Sequence, residues 1–197
     1  MDIKVGPEKR LFKLHKQLLC DASPYFEAAL NGQFKESNDQ TIEMQDEAVS
    51  MFERFQLWIY SGNIRGIRET LKDISWEILV KLYIFGEARQ MPLLQNHAVQ
   101  SLIFKSHNEN LIPCACLSLV YDNTLENSTL RRLFIDWYAH RAILSDTHCF
   151  TPGFRKFFPK DFLFDLACGL YALRASGEAV TRDFRMISSR YFLPILT

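Results

Sequence analysis

Strict alternation of apolar and polar residues is confined to the opening 44 residues of this chain, and the apolar positions after it recur with helical spacing. Alternation marks a strand with one face buried, whereas spacings of three and four mark a helix with one apolar side. Ile3 and Val5 alternate with polar neighbours, Gly6-Pro7 turns the chain, and Phe12 and Leu14 alternate again, which predicts a hairpin. Thr41-Ile42-Glu43-Met44 predicts one further short strand. Strands early and helices late define an α+β chain, not the alternating arrangement of a parallel doubly wound sheet.

The helical signals are local and specific. From Lys16 the pattern becomes helical, and Ser23-Pro24 predicts a fresh helix start, with Ser capping free N–H groups and Pro losing no bond at the first position. Tyr25, Phe26, Ala29 and Leu30 give that helix its apolar side, and Asn31-Gly32 predicts a left-handed stop. Phe52, Phe55 and Ile59 form the next stripe, closed by Ser61-Gly62; Trp76, Leu79, Val80 and Tyr83 form another. Pro92 opens a helix with Leu94, Ala98 and Leu102 on one face, and Leu130, Leu133, Phe134 and Trp137 follow Ser128. Ile143 to Phe158 is irregular, with a turn at Thr151-Pro152-Gly153. Pro159 then opens a last helix with Phe162, Leu166, Leu170 and Leu173 on one side. Past Arg174 the pattern weakens, so residues 176–197 read as a loosely ordered tail. The polar run Ser106 to Glu109 predicts a boundary, dividing residues 1–105 from a helical extension over 106–175.

Composition excludes several classes of function. The 197 residues carry 23 Lys plus Arg against 23 Asp plus Glu, so no basic excess points to nucleic acid or an anionic membrane. The most apolar run, Leu111 to Tyr121, is too short to span a bilayer and contains Pro113. The N-terminus lacks a secretory apolar block, and five irregularly spaced Cys suit a reduced interior, so an intracellular protein, cytoplasmic or nuclear, is expected.

Four blocks stand in order and at characteristic separations: Phe12-Lys13-Leu14-His15-Lys16-Gln17-Leu18-Leu19, then Ser23-Pro24-Tyr25-Phe26, then Phe34-Lys35-Glu36-Ser37, then Trp58-Ile59-Tyr60-Ser61-Gly62-Asn63-Ile64. Together they resemble the BTB/POZ domain, a helix cluster capped by a small sheet. Leu82-Tyr83 and Met91-Pro92-Leu93-Leu94-Gln95-Asn96 resemble its later helical pair, so the resemblance covers about residues 1–105. Val5-Gly6-Pro7-Glu8-Lys9, Leu30-Asn31-Gly32 and the stretch holding Leu130, Arg131, Arg132, Leu133, Asp136 and Trp137 look like the fungal group of these proteins, which add a short helical extension and little else.

The resemblance implies a non-enzymatic protein–protein interaction module. Family members homodimerise or hetero-oligomerise, and many dock a cullin as substrate adaptors of ubiquitin ligases. The docking signature, a hydrophobic residue, any residue and then Glu, is matched by Phe34-Lys35-Glu36, with Tyr60 as a further partner-binding candidate. An exposed aromatic that fills a pocket beside an orienting carboxylate is sound docking chemistry; the competing reading packs Phe34 on its own helix and leaves Glu36 in water. Family dimers often use elements upstream of the first hairpin, and Met1 stands inside that hairpin, which counts against the usual dimer. No substrate-recognition repeat follows, so recognition falls to the C-terminal helices. An oligomerising scaffold without a ubiquitin role is the alternative.

Other candidates favour structural readings. Asp2 and Lys16 match a groove-lining charged pair of transcription-factor relatives, or a solvated surface pair. His15 reads as a buried, hydrogen-bonded histidine, since no nucleophile and orienting acid accompany it. Cys114-Ala115-Cys116 has poor spacing for zinc and reads as small buried hydrophobes, with His107 the one histidine nearby and His148-Cys149 distant. Arg131-Arg132 and Arg182, Arg185 and Arg190, interrupted by Asp136 and Asp183, read as solvated helix faces. Glycine-rich phosphate loops are absent, and neither cofactor nor metal is expected.

Overall fold

A computed structural model describes residues 1–32, 41–143, 151–181 and 183–195. The alternating segments form a three-stranded sheet of order β2-β1-β3, with β1 Asp2–Val5, β2 Arg10–Lys13 and β3 Thr41–Met44. β1 runs antiparallel to β2, pairing Ile3 with Phe12, and parallel to β3, pairing Ile3 with Ile42. The hairpin turns at Gly6, whose φ of +76° is strained for a side chain and whose missing Cβ would stand 3.2 Å from Val49. Ile3, Val5, Phe12, Ile42 and Met44 face inward. On the outer face Glu43 accepts hydrogen bonds from Lys9 (2.9 Å), Gln45 (3.2 Å) and Lys4 (3.3 Å), which together hold its carboxyl down at about 2.

The parallel β1–β3 pair requires a crossover, which contains α1 (Lys16–Ala22) and α2 (Pro24–Asn31). Ser23 caps α2 by accepting from the Phe26 N–H at 3.2 Å, and its hydroxyl donates to the Arg89 carbonyl at 2.5 Å. Phe26 and Leu30 are buried, but Tyr25, expected on the apolar side, is exposed. It sits about 100° round the helix from Phe26, off the four-residue row that Leu30 continues. Gly32 also departs from expectation: its φ is −79° and ψ −168°, so α2 ends in extended, not left-handed, backbone.

α3 (Val49–Ser61), α4 (Trp76–Ala88) and the start of α5 (Pro92–Glu109) are the further α-helices among the described residues of the first unit. Gly62 ends α3 at φ +70°, its N–H returning to the Trp58 carbonyl at 2.8 Å. Phe55 stands at the middle of an aromatic cluster, 4.7 Å from Phe85, 5.3 Å from Phe52 and 6.2 Å from Trp58, ring centre to ring centre. Such ring pairs add directional packing to a large burial of apolar area.

The chain divides into two compact units, Met1–Ala98 and Val99–Pro194, and the division falls within α5. That helix runs unbroken through the polar stretch Ser106 to Glu109. Lys105, almost wholly buried, pairs with Glu109 at 2.7 Å. The second unit continues with a 3-10 turn at Cys114–Cys116, then α6 (Leu117–Asn123), α7 (Thr129–Ile143) and α8 (Lys160–Ser176). Leu130, Leu133, Phe134 and Trp137 of α7 are all buried. Phe162 lies 5.2 Å from Tyr138 and 5.6 Å from Tyr121, ring to ring. Of the apolar row expected on α8, Phe162 and Leu166 are buried and Leu170 and Leu173 only half so. The sheet with its helices, followed by helices to the end, is the α+β architecture the sequence predicts.

Candidate functional site

Phe34 and Glu36, the sharpest sequence candidates, lie outside the described residues. Tyr60 is described. It stands in the last turn of α3 with 48% of its surface exposed. Its hydroxyl accepts from the His15 backbone N–H at 3.2 Å and lies 2.7 Å from His15 Nδ1, joining α3 to the β2–α1 junction. Having accepted from the backbone, the hydroxyl has its own proton to donate to a neutral imidazole. His15 is therefore structural in role, but exposed rather than buried as expected. The reason is position: Leu14 before it points inward, and strand alternation turns the next side chain out. Lys16, half-buried, donates to the Leu30 carbonyl at 2.9 Å near the C-terminal end of α2, where a cation is favoured.

The turn after α3 is held by side chains. Glu69 accepts from the Gly66 N–H at 2.8 Å and from the forked guanidinium of Arg54, which contacts its two oxygens. Those bonds, Arg54 first, hold the Glu69 carboxyl at about 2. Thr70 and Asp73 form a capping box at the 3-10 turn Leu71–Asp73. Ile67 stands fully exposed at the tip of this braced turn. Nor did pattern reading identify Arg89, whose guanidinium lies 3.9 Å from the Phe85 ring centre and 2.7 Å from Glu47. Phe85 of α4 stands four residues before Arg89, a helical spacing, whereas Glu47 comes from another part of the chain and leaves no local signal.

The arginines read as solvated faces are mostly engaged. Arg131 donates to the carbonyls of Tyr121 (2.7 Å) and Thr124 (2.6 Å) and lies 4.5 Å over the Tyr121 ring, closing the end of α6. Arg185 makes a two-point contact with Asp183, Arg190 pairs with Glu178, and Arg132 donates to the Arg190 carbonyl. Local ion pairs and carbonyl acceptors explain these positions; Arg182 lies outside the described residues. Cys116 is buried and Cys114 half-buried; His148 and Cys149 lie outside the described residues. Among the described residues, no group of three or more His, Cys, Asp or Glu is arranged to hold a metal ion, and no helix is long and apolar enough to cross a membrane.

The second unit presents an apolar surface of its own. On α8, Phe164 is 71% exposed and Tyr171, two turns on along the same side, 77% exposed. Both would lose a large unfavourable water contact if covered.

A small mixed sheet lies with the helices of the first unit, and the sequence blocks within the described residues fall on its hairpin, on α1 and α2 and at the end of α3. Residues 1–84 match the BTB/POZ domain model, and this part of the chain is a BTB/POZ domain, a protein–protein interaction module. The human Kelch repeat and BTB domain-containing protein 4 is 30% identical over 73 residues, 37% of this chain and 14% of that protein. Its mouse counterpart is 29% identical over 73 residues, 37% of this chain and 14% of that protein. An ankyrin repeat, bromo and BTB domain-containing protein of Dictyostelium discoideum is 29% identical over 87 residues, 44% of this chain and 11% of that protein. The similarity thus spans a small fraction of the relatives' length.

Proposed function

We infer that this chain is a non-enzymatic, intracellular adaptor that docks a cullin through Phe34 and Glu36, with Tyr60 as a further contact, and presents a second protein on its C-terminal helices. The observation that carries the reading is a BTB/POZ domain at residues 1–84 containing Phe34-Lys35-Glu36 in the spelling of the cullin-docking signature. Exposed Tyr60, braced by His15, supports it as a rim contact, since a preorganised aromatic loses little freedom on binding. For the extension, residues 110–175, the support is the exposed pair Phe164 and Tyr171. The short extension resembles the fungal group of these proteins.

A pull-down of the full chain with a BTB-binding cullin tests the docking half. The chain should retain the cullin, and the double variant Phe34→Ala, Glu36→Ala should lose it. Unchanged retention by the double variant removes those residues from the site. If the wild-type chain retains no cullin yet light scattering shows stable oligomers, the scaffold reading replaces the adaptor.

A further inference from the structure

α7 carries Arg132, Asp136 and His140 at every fourth position, so three polar side chains lie along one side of the helix. Each engages the chain beyond α8. The Arg132 guanidinium donates to the Arg190 carbonyl and lies 5.5 Å over the Tyr191 ring. Asp136 accepts from the Tyr191 hydroxyl at 2.8 Å, and His140 Nδ1 accepts from the Thr181 backbone N–H at 3.0 Å. Between these anchors Phe184 packs edge-on to His140 at 5.3 Å and to Trp137 at 6.2 Å. Phe184 and Tyr191 are buried, whereas Arg185, Met186, Ser189 and Arg190 are exposed. A segment held by two buried rings and side-chain anchors at its ends, outside the regular helices, is a strap, the kind of element that opens locally before the rest of a structure.

We propose that this strap is a proton-sensitive latch, in which His140 holds Thr181 as a neutral acceptor and releases it when the imidazole gains a proton. An Nδ1 that accepts a hydrogen bond is unprotonated, so the second proton would sit on Nδ1 and face the Thr181 N–H, donor against donor. The groups facing His140 are Asp136 on α7 and Glu178 and Arg190 on the strap. The two carboxylates favour the cation; burial and Arg190 oppose it, and burial is the larger influence, holding the imidazole below its usual range. On α5, His107 lies 3.7 Å from Asp183, a second imidazole against the strap. Release uncovers the Trp137 side of α7. This inference is independent of cullin docking.

Hydrogen exchange of the full chain, compared at about pH 7.5 and about pH 5.5 after correction for intrinsic rates, tests it. Peptides covering Phe184 to Phe192 should lose protection at the lower pH, by up to roughly tenfold for each unit below the ordinary histidine value of 6.5 until the lowered value of the latched state is passed, and by more than peptides of β1 and α3 lose. His140→Gln should abolish the dependence and His107→Gln should leave it in place. Equal protection of the wild-type strap at the two pH values, or an undiminished response in His140→Gln, overturns the latch. If His140→Gln does not fold, an NMR titration of the wild type decides: the Thr181 amide must shift with the midpoint of the His140 ring, and a shift uncoupled from it overturns the latch equally.

Discussion

Ser23 does two jobs with one hydroxyl. It accepts from the Phe26 N–H at the start of α2 and donates to the Arg89 carbonyl beyond α4. Loss of an N-cap costs about 1 kcal/mol, and loss of a buried donor to a carbonyl costs about 1 kcal/mol more. Ser23→Ala should therefore lower stability by about 1–2 kcal/mol in urea denaturation, and Ser23→Thr, which keeps the hydroxyl, by less. No change in midpoint for Ser23→Ala would show that water replaces both bonds. The cap was legible because capping needs two adjacent residues, Ser23 and Pro24. The second bond was not, because Arg89 is 66 positions away. The same contrast separates Phe26, placed by its spacing to Leu30, from the Arg89–Glu47 pair, whose members stand 42 positions apart.

Among the elements, α7 and α8 pack closely at Gly169, where an added Cβ would come within 2.5 Å of Ile135 Cγ2. In an open helix, replacing Gly by Ala stabilises by roughly 1 kcal/mol. Here the clashing methyl sits on a β-branched carbon with little rotamer freedom, so overpacking, at roughly 1–3 kcal/mol, outweighs propensity. Gly169→Ala should lower the thermal midpoint; a rise would mean that Ile135 yields freely. Helices with a regular buried row, such as α7, were legible from the sequence. The segment Phe184–Tyr191 was not, because it is 3-10 and kinked at Ile187, and neither the 3.6 nor the 2.0 repeat describes it. Its two aromatics are buried nonetheless. For the candidate site, the sequence supplied Tyr60 and its block, while the bond from Tyr60 to His15 emerges only once α3 and the hairpin meet.

At the scale of the whole molecule, acid should act in two steps. His97, whose Nδ1 accepts from the Trp58 indole N–H at 2.8 Å, has its pKa lowered by burial, as does His140. The unfolded chain therefore takes up these protons first as pH falls through the ordinary histidine value of 6.5, and stability drops from there until the folded values are passed. Glu43 and Glu69, held at about 2 against 4.5 when free, act the same way lower down, over the window from 4.5 towards 2. Their exposure makes that second step shallow. Urea midpoints measured from neutral pH downward should fall already between about pH 6.5 and pH 5, before carboxylates titrate; a flat profile there would show that neither histidine is linked to folding.

The position of β1 in the middle of its sheet imposes an order of events during synthesis. The hairpin with β2 can close as soon as it leaves the ribosome, but one flank of β1 stays unpaired until β3, which begins at Thr41, 28 positions after Lys13, emerges. At roughly 5–20 residues per second, a nascent chain carries that bare hydrogen-bonding edge for seconds, a window in which a neighbouring polypeptide or a chaperone could occupy the place reserved for Thr41–Met44.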